Sequence, residues 1–234
     1  MGFSLGLLFM YVMLGRTFGY VRGFLAVLGI IAIVTLALIL NGMRGWPFGL
    51  AYYHDILGWK LYKVAWPLPV FWSAVITGAL LLKKPATVTP DPKVLFSWAF
   101  DTAIITAIAS FAIEPLAKTT LATTWITPGS FLGVPFSAFL GWFITAFVAG
   151  VCAIIILKPW AKQSLPVHHL VPLSFAGFFC LIFIFCTKQN IAVLQILSAI
   201  LVVVLIIWTL RLKKCQNPAI ITEHPASAIP RSHT

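Results

Sequence analysis

Charged residues are scarce in this chain of 234 residues, at 9% of the total, and acidic residues are scarcer still, with five Asp and Glu in all. Soluble domains carry about 25% charged residues, so this scarcity excludes an ordinary soluble globular protein. Disordered segments lack aromatic residues, and the 19 Phe, 9 Trp and 5 Tyr of this sequence exclude disorder as well. With 61% hydrophobic residues, the composition favours a bundle of membrane helices.

Cysteines are also few, and they are spread along the chain. Cys152, Cys180 and Cys186 lie inside apolar runs, and Cys215 follows the last run. None of them forms a Cys-x-x-Cys pair, so the sequence carries no metal or redox signature. We therefore expect no metal and no cofactor.

A net charge of +11 is typical of many proteins that bind nucleic acid. The Lys and Arg residues stand singly or in small groups between apolar runs, where membrane proteins place charges that face lipid headgroups. We therefore expect contact with membrane lipid and no binding to nucleic acid.

Apolar runs that cross a bilayer need about 20 residues, because a rise of about 1.5 Å per residue must cover roughly 30 Å of hydrocarbon. The clear candidates are Gly23–Leu40, Val94–Ile113, Leu132–Leu157 and Ile191–Leu210, and the shorter ones are Pro67–Leu82, Leu170–Cys186 and Phe3–Tyr20, which Arg16 interrupts. They predict an all-α fold, a polytopic transmembrane helical bundle of six to seven spans. Residues 1–212 form this single domain, and residues 213–234 form a mobile, polar cytoplasmic tail.

The orientation follows from the Lys and Arg residues of the connections. Alternate connections divide them about ten to five, and the richer side is expected to be cytoplasmic. This places the C-terminus in the cytoplasm, in an integral protein of the cell (plasma) membrane.

Two of the acids, Asp101 and Glu114, belong to one helix. Ionisable groups inside membrane segments are costly and mark functional sites. Thirteen residues separate the two, or about 20 Å along a helix, so Asp101 lies toward the cytoplasmic half and Glu114 toward the outer end. The alternatives are structural: Asp101 as a packing partner for a Thr, Trp or Lys, and Glu114 as a polar residue that closes a helix.

Three stretches rich in Gly, Pro and aromatic residues fall on one predicted side of the membrane. They run from Gly45 to Gly58, from Glu114-Pro115 onward, and from Gly133 to Trp142. Gly and Pro allow tight turns, and Trp and Tyr suit the headgroup level, so each stretch alone fits an aromatic belt. Their shared side favours a single pocket.

These stretches contain an ordered set of motifs: Pro47-Phe48-Gly49, Tyr53, Leu57-Gly58, Pro67-Leu68-Pro69-Val70-Phe71-Trp72, Glu114-Pro115, Gly133-Val134-Pro135 and Gly141-Trp142. In this order the sequence, over roughly residues 40–145, resembles the carotenoid biosynthesis protein family of integral membrane proteins. Its best-known members are carotenoid 1,2-hydratases, including bisanhydrobacterioruberin hydratases. Leu38, Ser110 and Ala138 stand where family members commonly carry polar residues, so the chain resembles a divergent member.

The resemblance implies hydration of a terminal isoprenoid C=C of a linear carotenoid, by protonation to a tertiary carbocation and addition of water. A carboxylic acid in a dry site keeps its proton near neutral pH, and each aromatic face stabilises a cation by about 0.5–2 kcal/mol. Glu114 is the predicted acid, Asp55 or His54 positions the water, and Asp101 is the reserve acid. The predicted substrate-binding residues are Trp46, Phe48, Tyr53, Trp72, Trp125, Phe136 and Trp142.

Two other functions remain open. The chain could be a non-catalytic protein that binds a polyisoprenoid lipid or stabilises a membrane complex, since three polar family positions are apolar or small. It could also be a small transporter that uses Asp101 as a proton relay.

Overall fold

The computed structural model describes residues 2–85, 87–88, 91–157, 163–164, 170–188 and 191–216. Most of this part of the chain is helical, as α1 (Gly2–Phe18), α2 (Tyr20–Arg44), α3 (Pro67–Leu82), α4 (Pro92–Thr119), α5 (Phe136–Leu157), α6 (Leu170–Lys188) and α7 (Ala192–Gln216). The strands are short, as β1 (Ala51–Tyr53), β2 (Lys60–Leu61), β3 (Val64–Ala65), β4 (Thr87–Val88), β5 (Thr123–Trp125) and β6 (Gln163–Ser164). They pair antiparallel as β1 with β5, β2 with β3 and β4 with β6.

Five of the helices, α2, α4, α5, α6 and α7, are long and apolar enough to cross a membrane. The other two, α1 and α3, are shorter apolar helices. The predicted all-α bundle of six to seven spans is therefore confirmed, and the protein is an integral membrane protein.

Two helix boundaries at the site differ from the predicted spans. Helix α4 continues through Glu114 and Pro115 to Thr119, so the acid lies inside a helix and does not open a connection. Proline removes one backbone donor, a loss that membrane bundles tolerate because neighbouring groups satisfy the freed carbonyl. Helix α5 begins at Phe136, because the bridges Gly129↔Gly133 and Phe131↔Val134 fold the preceding residues into a small hairpin.

The predicted C-terminal tail also begins later than expected. Helix α7 continues to Gln216, four residues into the segment predicted to be polar and mobile. The remainder of that segment, residues 217–234, lies outside the described residues.

Small side chains allow α4 and α5 to pack closely. Ala99 and Ala103 of α4 and Ala146 and Ala149 of α5 are fully buried. A Cβ atom on Gly150 would lie 3.6 Å from the Ala99 backbone, so the two helices approach to van der Waals contact. In lipid, where helices gain little from the hydrophobic effect, such close packing provides much of the attraction.

Successive helices run in opposite directions. The polar side chains discussed here lie at the two ends of the bundle. At one end, Lys83 Nζ lies 3.8 Å from Asp101 Oδ2 and 5.2 Å from the ring centre of Trp208. The other end, which we call the corner end, consists of residues 45–66 and 114–142. Asp101 and Glu114 thus lie in opposite halves of α4, as predicted. The contact with Lys83 fits the structural alternative for Asp101, in which this residue is a packing partner for a Thr, Trp or Lys.

Candidate functional site

The three Gly-, Pro- and aromatic-rich stretches meet at the corner end. Strand β1 follows α2 and pairs with β5, which follows α4, in the register Ala51↔Trp125 and Tyr53↔Thr123. The start of α5 joins them, because Ser137 Oγ donates a hydrogen bond to the Phe48 carbonyl at 2.9 Å. The predicted convergence of these stretches is confirmed.

Glycine makes this convergence possible at two positions. Gly49 has a φ of 100°, in the left-handed region that favours glycine, and a Cβ there would lie 3.0 Å from Ser137 Oγ. On α5, a Cβ on Gly141 would lie 2.5 Å from Phe48 Cδ1 and 3.0 Å from the Pro47 carbonyl oxygen. The loop after α2 can therefore lie directly on α5 because Gly141 carries no side chain at the point of contact.

The Phe48 backbone is also held by α2, through a polar residue that sequence reasoning missed. Asn41 lies in the last turn of α2 and is fully buried, and its Oδ1 accepts a hydrogen bond from Phe48 N at 3.3 Å. Among the described atoms, Asn41 Nδ2 has no hydrogen-bond partner. A buried amide donor without an acceptor costs about 1–3 kcal/mol, so this nitrogen marks a position suited to a water molecule or a ligand.

Glu114 and Trp142 form the centre of the site. Glu114 is 7% exposed, and its Oε1 accepts a hydrogen bond from Trp142 Nε1 at 2.6 Å. The Trp142 ring stacks on Trp72 of α3, with ring centres 3.7 Å apart, and its distance to the Phe48 ring is 4.5 Å. One indole therefore joins α3, α4, α5 and the loop after α2.

A cavity of about 270 Å³ opens beside this pair. Its lining is largely apolar, and its polar side chains are Tyr53, Glu114, Thr120 and Thr123. Thr120 donates its hydroxyl to the Leu116 carbonyl of its own helix, at 3.0 Å. Glu114 is the acid of this cavity, and the Tyr53 and Thr123 hydroxyl groups belong to the same lining.

Tyr53 lies close to both Glu114 and Asn41. Burial is the main cause that raises the pKa of the Tyr53 hydroxyl well above its ordinary value. The Tyr53 hydroxyl therefore stays protonated at physiological pH and can both donate and accept a hydrogen bond.

The predicted substrate-binding residues separate into three groups. Trp72, Trp142 and Tyr53 line the cavity, and Phe48 packs behind Trp142. Trp125 is buried in β5, next to Gly49. Trp46 and Phe136 are exposed, on the outside of the corner end.

The predicted water-positioning residues, Asp55 and His54, lie apart from Glu114. Asp55 is 89% exposed and forms an ion pair with Lys60 at 2.5 Å, which lowers the pKa of the Asp55 carboxyl. His54 Nε2 lies 2.8 Å from Thr124 Oγ1 on the exposed side of the strand pair. Successive strand side chains point to opposite faces, so the buried Tyr53, and not its neighbours, is directed to the cavity.

Metal-binding side chains are not clustered in the described residues, where no group of three or more His, Cys, Asp and Glu is placed to hold an ion. The three positions that depart from the family pattern are buried. Leu38 lines the cavity, Ser110 donates its hydroxyl to the Ala107 carbonyl at 2.7 Å, and Ala138 is fully buried. Among the described residues that line the cavity, Glu114 is the only acidic one.

The fold and the cavity define a polytopic membrane protein with one buried carboxyl group in an aromatic, apolar pocket. The family model of the carotenoid biosynthesis proteins matches residues 2–209. The chain belongs to this family, and the match extends well beyond residues 40–145, which carry the motifs of the resemblance. None of the curated proteins and none of the solved structures matches the chain.

Because of the Glu114–Trp142 hydrogen bond, we expect replacement of Trp142 to destabilise the protein. We expect Trp142→Phe to lower the free energy of unfolding by about 1–3 kcal/mol, because the buried carboxyl group loses its donor. Thermal unfolding in detergent micelles measures the effect. Trp59→Phe, at an exposed tryptophan, is the matched control and should change little. Equal stability of the two variants would contradict the importance of this bond.

Proposed function

We propose that the protein hydrates a terminal isoprenoid double bond of a linear carotenoid, with Glu114 as the acid. The observation that carries this proposal is the buried Glu114 carboxyl group in a largely apolar cavity walled by Trp72 and Trp142. Membership of the carotenoid biosynthesis family supports a lipid-soluble substrate of this kind. Such a substrate reaches the site from the membrane.

The first step is protonation of the alkene. The Glu114 O–H bond breaks, the π electron pair forms a C–H bond at the less substituted carbon, and the other carbon becomes a tertiary cation. Trp72 and Trp142 line the cavity as a stacked pair. An aromatic face turned to a desolvated cation stabilises it by about 0.5–2 kcal/mol without reacting with it. The acid and the stabilising groups thus lie within one small space.

The second step is addition of water. An oxygen lone pair of water forms the C–O bond, and the proton released from the resulting oxonium returns to the Glu114 carboxylate. The net change is the addition of one water molecule, without oxidation or reduction. We assign the positioning of this water to Tyr53, with Asn41 behind it, in place of Asp55 and His54, because Tyr53 lines the cavity and Asp55 is exposed.

A second candidate is binding of a polyisoprenoid lipid without catalysis. Leu38, where family members commonly carry an acidic residue, lines the cavity and makes its wall less polar. A protein of this kind would retain pigment and return it unchanged. The transporter alternative depends on Asp101, which pairs with Lys83 at the end of the bundle away from the cavity.

We further propose the cell (plasma) membrane as the location, with the C-terminus in the cytoplasm. The uneven division of Lys and Arg between alternate connections supports this orientation. It would place the corner end, and Glu114 with it, at the outer side.

Exchange of the acid tests the proposed mechanism. We expect Glu114→Gln to lower the hydration rate by about 10²–10⁴-fold, because an amide cannot supply the proton. Reversed-phase chromatography of pigments from a carotenoid-producing host measures the conversion. Asp101→Asn, the same exchange on the same helix, should leave conversion unchanged. Full conversion by Glu114→Gln would disprove the role of this acid, and loss of function only in Asp101→Asn would favour transport.

Exchange of the tyrosine tests the positioning of water. We expect Tyr53→Phe to lower the hydration rate by about 10²-fold, because the attacking water loses a fixed partner while the cavity keeps its shape. The matched control is Tyr52→Phe, since Tyr52 is the exposed neighbour in the same strand. If both variants convert pigment at the native rate, water is not held by Tyr53.

A further inference from the structure

A second apolar space lies next to the Glu114 cavity. It is a groove of about 570 Å³ between α1, α3 and α6. Residues from each helix line it, among them Leu5, Phe9, Met10, Ala74, Phe175 and Leu181. Its polar lining residue, Ser174, donates its hydroxyl to the Val171 carbonyl at 2.7 Å. The groove is therefore suited to hydrocarbon alone.

The groove continues the cavity along one seam of the bundle. Phe71 of α3 and Phe178 of α6 line both spaces, with their ring centres 5.8 Å apart. On α3, the cavity is lined by residues 67–72 and the groove by residues 71–75. On α6 the order reverses, with residues 178–185 at the cavity and residues 174–181 at the groove. The two spaces thus follow each other from the corner end toward the middle of the bundle.

Size decides what each space can hold. At about 270 Å³, the cavity is at the lower limit of pockets that enclose a drug-sized molecule, about 300–1,000 Å³. A linear carotenoid is a much longer hydrocarbon, so only its reacting end fits beside Glu114. The rest of the chain must leave the cavity through an apolar opening, and the shared Phe71–Phe178 wall leads into a space of about twice that volume.

We infer that the groove between α1, α3 and α6 binds the chain of a linear polyisoprenoid whose terminal double bond lies at Glu114, with the chain running along the Phe71–Phe178 pair that lines both spaces. This inference rests on the proposed function for the position of the reacting end. It assigns the groove a role in recognising substrate length. Binding along the groove would also fix the terminal double bond in depth, because the chain cannot slide once both spaces are filled.

The glycines of α1 and α6 allow a matched test. Gly6 lines the groove, and a Cβ there meets no atom within 4 Å, so Gly6→Phe fills the groove without a backbone clash. Gly177 of α6 is also an exposed helical glycine with no atom within 4 Å of an added Cβ, but it does not line the groove. Gly177→Phe is therefore the control for the added bulk and the loss of glycine.

The first measurement compares two probes that share an end group, lycopene as the long one and myrcene as the short one. For Gly6→Phe, we expect the ratio of lycopene to myrcene hydration to fall by about tenfold or more, since steric exclusion of a few carbons has effects of this size. Gly177→Phe should keep the native ratio. A native ratio in Gly6→Phe, with the variant folded by size-exclusion chromatography, would overturn the inference.

The second measurement does not depend on hydration. Lycopene that co-purifies with the native protein in detergent is quantified by absorbance, and we expect Gly6→Phe to retain several-fold less than Gly177→Phe. If the native protein retains lycopene but does not convert it, the proposed reaction fails while this comparison still decides the role of the groove. Equal retention of lycopene by both variants overturns the inference. It is also overturned if Gly6→Phe loses co-purified phospholipid but no lycopene, because the occupant of the groove would then be an acyl chain. Absence of lycopene from the native protein overturns it too.

Discussion

The hydrogen bond from the Trp142 indole to the Glu114 carboxyl group, at 2.6 Å, is the constraint on which the corner end depends. A carboxyl group inside a membrane helix needs a partner, and this one is supplied by a ring that is itself held between Trp72 and Phe48. Displacing Trp142 would therefore disturb α3, α4, α5 and the loop after α2 together. The same contact gives the acid a fixed direction, which a proton donor needs if it is to reach one carbon of a substrate.

The packing around this bond also explains why the cavity is small, apolar and placed at one end. Gly141 lets the loop lie on α5, the strand pair β1–β5 covers the ends of α2 and α4, and Tyr53 is the strand residue directed inward. Farther along α3, the close helix packing opens into the groove bordered by Phe71 and Phe178. Under the proposed function, an acid in a small cavity with an apolar groove leading from it suits a long hydrocarbon that reacts at its terminus.

The fold could be predicted from the sequence because membrane spans are a local property of apolar run length. Glu114 was identifiable for the same reason, as an acid beside proline at the end of an apolar run. Its partner was not, since Trp142 lies 28 residues away in the chain and their contact depends on how α4 and α5 pack. The sequence did not indicate that Asn41 belongs to the site, because an amide in the last turn of a helix is typical of an exposed helix end. The position of Asp55 in the corner predicts a place at the cavity, whereas in the structure Asp55 is 89% exposed and paired with Lys60.

The central claim is that the alkene is protonated to a carbocation and that water then adds to it. The origin of the added atoms tests this claim most directly. Lycopene is supplied to the native protein in deuterated water enriched in oxygen-18, and the product is examined by mass spectrometry. Acid-catalysed hydration predicts one carbon-bound deuterium beside the new carbinol carbon and one oxygen-18 in the hydroxyl group. A hydroxylated product that carries no carbon-bound deuterium, or whose oxygen comes from dioxygen, would contradict it.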